Sequence, residues 1–260
     1  MSVLFMEMTR EEINAVAPKA IAVLPTAAIE QHGPHMATGV DTILVSEVTR
    51  RAAGKAADRV PVVVAPTLPF GSSHHHYPFG GTISYTAPNF IGAIQDILEG
   101  LVRCGFRKLV AINGHGGNSD HVGVVGQDLV NRLGHPVAVA TGNYWNMAKP
   151  ALLAADLLPA GEIPGHAGRF ETSLMLALRP DLVREEARQA TQYAAPEALG
   201  LDVDLAGAVV QVHGTWGKGP GHTDHPATAS AELGHALLQV LVDAIAEFYI
   251  GFAAVKGAQA

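Results

Sequence analysis

Short apolar runs rich in β-branched residues recur at 20–24, 61–65, 108–112 and 136–140, apolar at successive rather than alternate positions. Strands that are apolar on both sides suit the interior of a parallel sheet covered by helices on each face. Between the runs the periodicity changes to that of helices, over 41–57, 87–104 and 119–133, and a longer helical stretch occupies 227–252. Thr86 ahead of Ala87-Pro88 and Asn118 ahead of Ser119-Asp120 read as helix starts, proline being well suited to a first turn. This alternation predicts an α/β layered fold. The glycine-rich stretch 214–221 cannot be regular structure and is expected to be a surface loop, ordered by a neighbouring subunit or a ligand.

The polar clusters fall just beyond the predicted strands. Glu30 and His32 follow the first, His74 to His76 the second, His115 the third, and Asn143 to Trp145 the fourth. Ligands of parallel α/β sheets bind at the carboxyl ends of strands, so four separate segments are expected on one rim.

Composition narrows the choice of function. The 260 residues contain no obvious linker or internal repeat, and one domain spanning 1–260 is expected. Apolar residues make up 48% and charged residues 16%, enough for a large core with apolar surface left for a subunit interface. A net charge of −7 without a basic run argues against nucleic-acid binding. The runs at 21–24 and 60–65 are too short to span a bilayer, so a soluble protein without a membrane partner is expected. The lone Cys104 and the lack of a secretory signal pattern make the cytoplasm the expected compartment. Thirteen histidines against five tyrosines is the compositional oddity, and the histidines gather near glycines.

In the segment Glu30-Gln31-His32-Gly33-Pro34-His35, Glu30 and His32 are two apart, so in extended chain both side chains leave the same side. Asp41 opens the next helical pattern, from where a short carboxylate can reach back to the strand ends. Mixed carboxylate and imidazole donors suit zinc, manganese or ferrous iron, and one cysteine cannot build a thiolate site. The plainer readings are a helix cap for Asp41 and a hydrogen-bonded core role for His32. The turn Asn113-Gly114-His115-Gly116-Gly117-Asn118 brings backbone close to whatever His115 holds; a phosphate cradle ranks second there, because the Walker lysine and the dinucleotide fingerprint are both missing. In Gly165-His166-Ala167-Gly168-Arg169-Phe170-Glu171, Glu171 is a metal-ligand candidate or a helix-dipole partner, and His166 a candidate proton donor. Of three consecutive histidines at 74–76, one or two can face a common point.

These segments, together with Thr26 to Ile29, Asp41-Thr42, Gly80-Gly81-Thr82-Ile83-Ser84 and Thr172-Ser173, resemble the creatininase (creatinine amidohydrolase) family, in family order across most of the chain. The resemblance implies a three-layer α/β/α fold with a central, mainly parallel sheet, a homohexamer, and a centre of two divalent ions, zinc or manganese, with iron also compatible. It implies that Glu30, Asp41 and His115 hold one ion, that His32 and Asp41 hold the other, and that His166 carries protons. Creatininase has a tyrosine and a glutamate where this chain has Gly116 and Gly117, and an acidic residue where it has Gly165. Glu171 is the candidate to replace the missing metal ligand, and the departures point away from creatinine itself.

The expected activity is hydrolysis of a C–N bond in a small cyclic amide or related polar substrate. Activated hydroxide attacks the carbonyl, and His166, assisted by Glu171, serves the catalytic step. His76, Tyr144 and Trp145 are the expected pocket walls. The alternatives are hydrolysis of a cyclic keto-polyol such as a dehydro-inosose, a non-catalytic metal- or ligand-binding protein, and a mononuclear isomerase or C–C hydrolase.

Overall fold

In the computed structural model, which describes residues 2–194 and 212–256, four strands form one sheet in the order β2-β1-β3-β4, every neighbouring pair parallel. In chain order the elements are α1 (Arg10–Val16), β1 (Ile21–Thr26), α2 (Val40–Ala56), β2 (Val62–Val64), α3 (Ala87–Arg103), β3 (Lys108–Asn113) and α4 (Ser119–Gln127). There follow β4 (Ala138–Asn143), α5 (Tyr144–Met147), α6 (Lys149–Ala155), α7 (Arg169–Leu178), α8 (Glu185–Gln189) and α9 (Ala231–Ala253).

Alternate strand residues feed two separate cores. Ile21, Val23, Val110 and Ile112 pack with Leu44, Val48, Leu174, Leu241 and Ile245 of α2, α7 and α9. Ala22, Leu24, Leu109 and Ala111 pack with Ile13, Phe90, Leu98 and Val125 of α1, α3 and α4. Helices on both faces of a parallel sheet make a three-layer α/β/α fold, and the apolar doublets of β1, β2 and β3 follow from it. β4 is different: it lies at the sheet edge and its residues are only partly covered, with Thr141 exposed.

The ends of several elements depart from the sequence reading, the fourth strand running 138–143 and the helix after Asn118 ending its regular α-helical part at Gln127. The last helix starts at Ala231 rather than 227, because Ser230 is extended and its hydroxyl accepts the Leu233 N–H. Asn118 precedes α4 without capping it. Its amide instead donates to the Ala27 carbonyl (2.9 Å) and to Asn113 Oδ1 (3.1 Å), tying the ends of β1 and β3 together. The early α1 carries a capping box between Thr9 and Glu12, a signal present in the sequence but passed over.

α9 is longer and more apolar than the runs weighed against a membrane span, and by length and composition alone it is able to cross one. In the fold its apolar side is core, with Leu237, Leu241, Ile245 and Tyr249 fully buried against α2 and α7.

Candidate metal centre

β1 and β3 run in register as far as Thr26 and Asn113, and the parallel pairing continues one step further as Gly114 N–H donates to the Thr26 carbonyl (2.8 Å). The chain then opens into two loops carrying Glu30, His32 and His115, while α2 begins directly opposite with Asp41 in its first turn. Asn113 sets the exit of β3. Its Oδ1 accepts the His115 N–H (3.2 Å) and the Thr26 hydroxyl (3.2 Å), and its Nδ2 donates to the His115 carbonyl (2.5 Å) and to Asn143 Oδ1 (2.7 Å).

Glu30, Asp41 and Glu171 bring three carboxylates into one buried volume with His32 and His115 between them. His115 Nδ1 lies 3.2 Å from Glu30 Oε1 and 3.2 Å from Asp41 Oδ2. His32 Nε2 lies 3.1 Å from Asp41 Oδ1 and 3.7 Å from Glu171 Oε2. The two oxygens of Asp41 therefore face two different imidazoles.

Both rings are held from behind. His32 Nδ1–H donates to the Glu30 carbonyl (3.1 Å) and His115 Nε2–H to the Ser72 carbonyl (3.2 Å), which leaves the lone pairs of His32 Nε2 and His115 Nδ1 turned inward. A backbone acceptor that fixes the tautomer and aims the other nitrogen is the usual support of a metal-binding histidine. His32 Nε2 and Asp41 Oδ2 are buried with no hydrogen-bond partner, an expensive arrangement unless something else occupies the space between them. Among the described residues no lysine or arginine lines the cavity to balance the carboxylates. The donor set and the orphaned atoms fit divalent cations.

The electrostatics agree. Burial opposes the charged form of His32, yet Asp41, Glu171 and Glu30 outweigh it and push the pKa up to about 10. His115 is likewise raised well above the usual imidazole range against its burial, by Glu30 and Asp41. Burial works to raise Glu30, but His115, His166 and His76 hold it well below the usual carboxylate range. Burial, aided by Asp41 and Glu30 against His32, raises Glu171 to about 8. Without metal, protons on the imidazoles supply the positive charge that the carboxylates demand.

His166 stands beside this cluster. Its Nδ1 lies 3.6 Å from Glu30 Oε1, and its Nε2 3.1 Å from the Gln31 carbonyl and 3.0 Å from the Gln31 side-chain nitrogen. Burial, reinforced by His32, lowers its pKa well below the histidine range, so the ring is neutral near pH 7. His76 stacks on it with centroids 4.3 Å apart. A cavity of about 380 Å³ opens over this group, with Glu30, Asp41, His115, His166 and Glu171 at its floor and His76 and Trp145 in its walls.

Tyr144 and Trp145 are both buried in the core beside α9, Tyr144 near enough to Glu171 and Asp41 for their charges to act on its hydroxyl, and of the two it is Trp145 that lines the cavity. His35 faces away, with Nε2 3.0 Å from the Thr172 hydroxyl. The loop 214–221 is no mere surface loop. Its Trp216 packs over His76 and His166, with centroids 4.7 and 5.3 Å apart, and closes one side of the cavity. His75 also joins the wall, stacked on His115. Sequence reasoning missed both of these and Gln31, although a tryptophan set among four glycines is an unusual choice for exposed loop.

A family model for creatininase, described as creatinine amidohydrolase, matches residues 6–249. A creatinine amidohydrolase of Pseudomonas putida is 35% identical over 269 residues, covering 95% of this chain and 95% of that protein. A mycofactocin precursor peptide peptidase of Mycobacterium tuberculosis is 30% identical, covering 90% of this chain and 86% of that protein. A 3-dehydro-scyllo-inosose hydrolase of Thermotoga maritima is 27% identical over 71% of this chain and 58% of its own length. Among solved structures, a manganese creatininase matches with a TM-score of 0.79 at 33% identity, covering 95% of this chain and 97% of its own. A zinc–zinc form of a creatininase mutant matches with a TM-score of 0.77 at 31% identity over the same shares.

Proposed function

The chain belongs to the creatininase family, and we propose that it is a two-metal amidohydrolase opening the C–N bond of a small, polar cyclic amide other than creatinine. The observation that carries this reading is the split of Asp41, whose two carboxylate oxygens face His115 and His32 at 3.2 and 3.1 Å. Glu30, Asp41 and His115, joined through the His115 Nδ1 contacts, would hold one ion, and His32, Asp41 and Glu171 the other, with zinc or manganese suited to these donors. His75 and His166 also lie within ligand distance of Glu30, and the wall and proton-transfer roles are assigned to them instead. Two divalent ions so placed supply Lewis acidity for a carbonyl oxygen and bring the pKa of water toward neutrality.

The chain's own residues do the rest. His166, neutral at pH 7, accepts the nucleophile's proton at Nδ1, the atom that faces Glu30, and returns it to the departing nitrogen. Nε2 is held between the Gln31 carbonyl and the Gln31 side-chain amide, 3.1 and 3.0 Å away, which fixes the ring against the cluster. His76, Trp145 and Trp216 wall the cavity with flat rings, two of them apolar indoles, which favours a planar substrate and limits the access of bulk water.

The departures from creatininase at 117 and 165, which argue against creatinine as the substrate, are built into the backbone. A Cβ on Gly117 would fall 2.5 Å from the Ser72 carbonyl oxygen and 2.6 Å from His115 Nε2, and one on Gly165 would fall 2.7 Å from Asp224 Oδ2. The side chains that creatininase carries at these positions have no room in this backbone.

The test is elemental analysis of the purified protein followed by an assay of cyclic amides, formamides, short peptides and cyclic keto-polyols. Two ions per chain and turnover of a cyclic amide are expected, and His166→Ala is expected to keep both ions and lose turnover. Full metal with no turnover on any of these compounds sinks the reading in favour of a binding protein.

A further inference from the structure

His166 and Glu171 sit on a turn that does not hold itself. Gly165 has φ +62° and Ala167 φ +48°, so His166 lies between two residues in left-handed backbone, one of which has a side chain. Gly168 then occupies the cap position of α7 and offers no side chain to the first free N–H groups of the helix.

The missing cap comes from a residue 55 positions away. Asp224 is buried, and its Oδ1 accepts the Arg169 N–H at 2.6 Å. Its Oδ2 accepts the Thr223 hydroxyl at 2.8 Å, and the same Thr223 oxygen accepts the His166 N–H at 2.8 Å. The Thr223 N–H in turn donates to the His166 carbonyl at 2.8 Å. Both ends of the turn are thus tied to the pair 223–224.

Asp224 is itself fixed. It holds φ +46°, its backbone exchanges hydrogen bonds with Ala194 in both directions, and Oδ1 also accepts the His225 N–H at 2.7 Å. The turn is shaped around the carboxylate, since a Cβ on Gly168 would lie 2.0 Å from Asp224 Oδ2. Among the described residues the Asp224 carboxylate hydrogen-bonds Arg169, Thr223 and His225 and none of the six residues assigned to the metals and the proton transfer. A cap for α7 alone would not require Thr223 to be oriented toward His166.

We propose that Asp224 is a positioning residue of the metal centre, setting through Thr223 and the start of α7 the places of His166 and of Glu171, and hence the affinity of the ion shared by His32, Asp41 and Glu171. Glu171 lies in the first turn of α7, and its Oε2 also accepts the Ala167 N–H at 2.6 Å, so rotation of the turn moves its carboxylate directly. The Glu30, Asp41 and His115 group meets the clamped turn only where His166 Nδ1 approaches Glu30 Oε1 at 3.6 Å, and none of its three ligands is carried on α7.

The inference rests on the two-metal reading, and the experiment separates the two. Zinc and manganese are titrated into metal-stripped full-length protein, wild type and Asp224→Asn, with calorimetry resolving two affinities. A wild type that binds fewer than two ions fails the two-metal reading itself. With two ions in the wild type, Asp224→Asn is expected to weaken one site by about 10- to 100-fold and leave the other unchanged, the range typical of removing a partner behind a ligand. Gly168→Ala, which displaces the carboxylate without removing it, is expected to weaken the same site and provides the measurement if Asp224→Asn does not fold. Unchanged affinities, or equal weakening of both ions with a lowered melting temperature, overturn the proposal, because a purely structural residue has no reason to distinguish the two.

Discussion

The two halves of the metal centre are built from different materials. The half around Glu30 and His115 hangs from the ends of β1 and β3 and is stitched by Asn113 and Asn118, which tie those strand ends to each other, to Asn143 at the end of β4 and to Ser72 beyond β2. The half around His32 and Glu171 depends on the first turn of α7, held by Thr223 and Asp224 from a distant part of the chain. Asp41 belongs to both. A strand end in a central parallel sheet is fixed by the core on each side of it, whereas a turn with left-handed residues keeps its shape only while its partners keep theirs. The strand-borne half should tolerate perturbation and the turn-borne half should report it.

Removing the shared carboxylate erases the distinction, so Asp41→Ala has the largest expected effect. Both ions are lost, and turnover falls on the order of a thousandfold or more, equivalent to several kcal/mol of transition-state stabilisation. Two ions per chain retained in that variant would end the bridging assignment. Glu171→Gln exposes the distinction instead. One ion is expected to leave, the other to stay, and turnover to fall on the order of a hundredfold; a loss of both ions in the elemental analysis would show that the halves are not separable.

What the sequence could disclose follows the same division. Glu30 and His32 are two residues apart, and His115 stands at the end of an apolar run, so their convergence follows from strand periodicity and the geometry of parallel sheets. Glu171 was legible as a carboxylate near a helix start, but not the support behind it, because Asp224 meets Arg169 only after the chain has folded across 55 positions. Tyr144 and Trp145 are adjacent, equally aromatic and both buried in the first core, and only the folded structure decides which of them reaches the cavity. Trp216 lies in a surface loop as the sequence suggests, with Gly214, Gly217 and Lys218 exposed, but its packing on His76 and His166 is not legible there, since those contacts join segments far apart in sequence. Apolar doublets foretold the strands, while the half-covered β4 shows where that signal weakens at an edge.

Proton competition adds a subtler contrast. His32, with a pKa near 10 against an ordinary value of 6.5, carries a proton at neutral pH in the ion-free protein, and an incoming ion must displace it. Affinity is therefore expected to rise by about tenfold per pH unit for each proton released, up to about pH 10. Stability of the ion-free fold has the opposite slope. The raised pKa contributes fully below pH 6.5 and is lost as pH climbs through about 10. Melting curves of stripped protein between these limits, set beside metal titrations at the same pH values, would test both signs, and a flat affinity profile would contradict the protonated state of His32.

The smallest expected effect lies on the strand-borne side. Gly117→Ala places a Cβ 2.5 Å from the Ser72 carbonyl oxygen, whose hydrogen bond holds the His115 tautomer. The methyl must be accommodated by a shift of the 72–73 backbone or of the His115 ring, and either lengthens that bond. His115 itself remains tied at its N–H and carbonyl by Asn113, so the ring loses its backstop but not its place. The ion at Glu30, Asp41 and His115 is expected to weaken by about tenfold, at the low end for loss of a supporting partner, with the second ion unaffected. If Gly117→Ala instead empties the turn-borne site, the two halves communicate through Asp41, and the division between a robust and a responsive half would have to be given up.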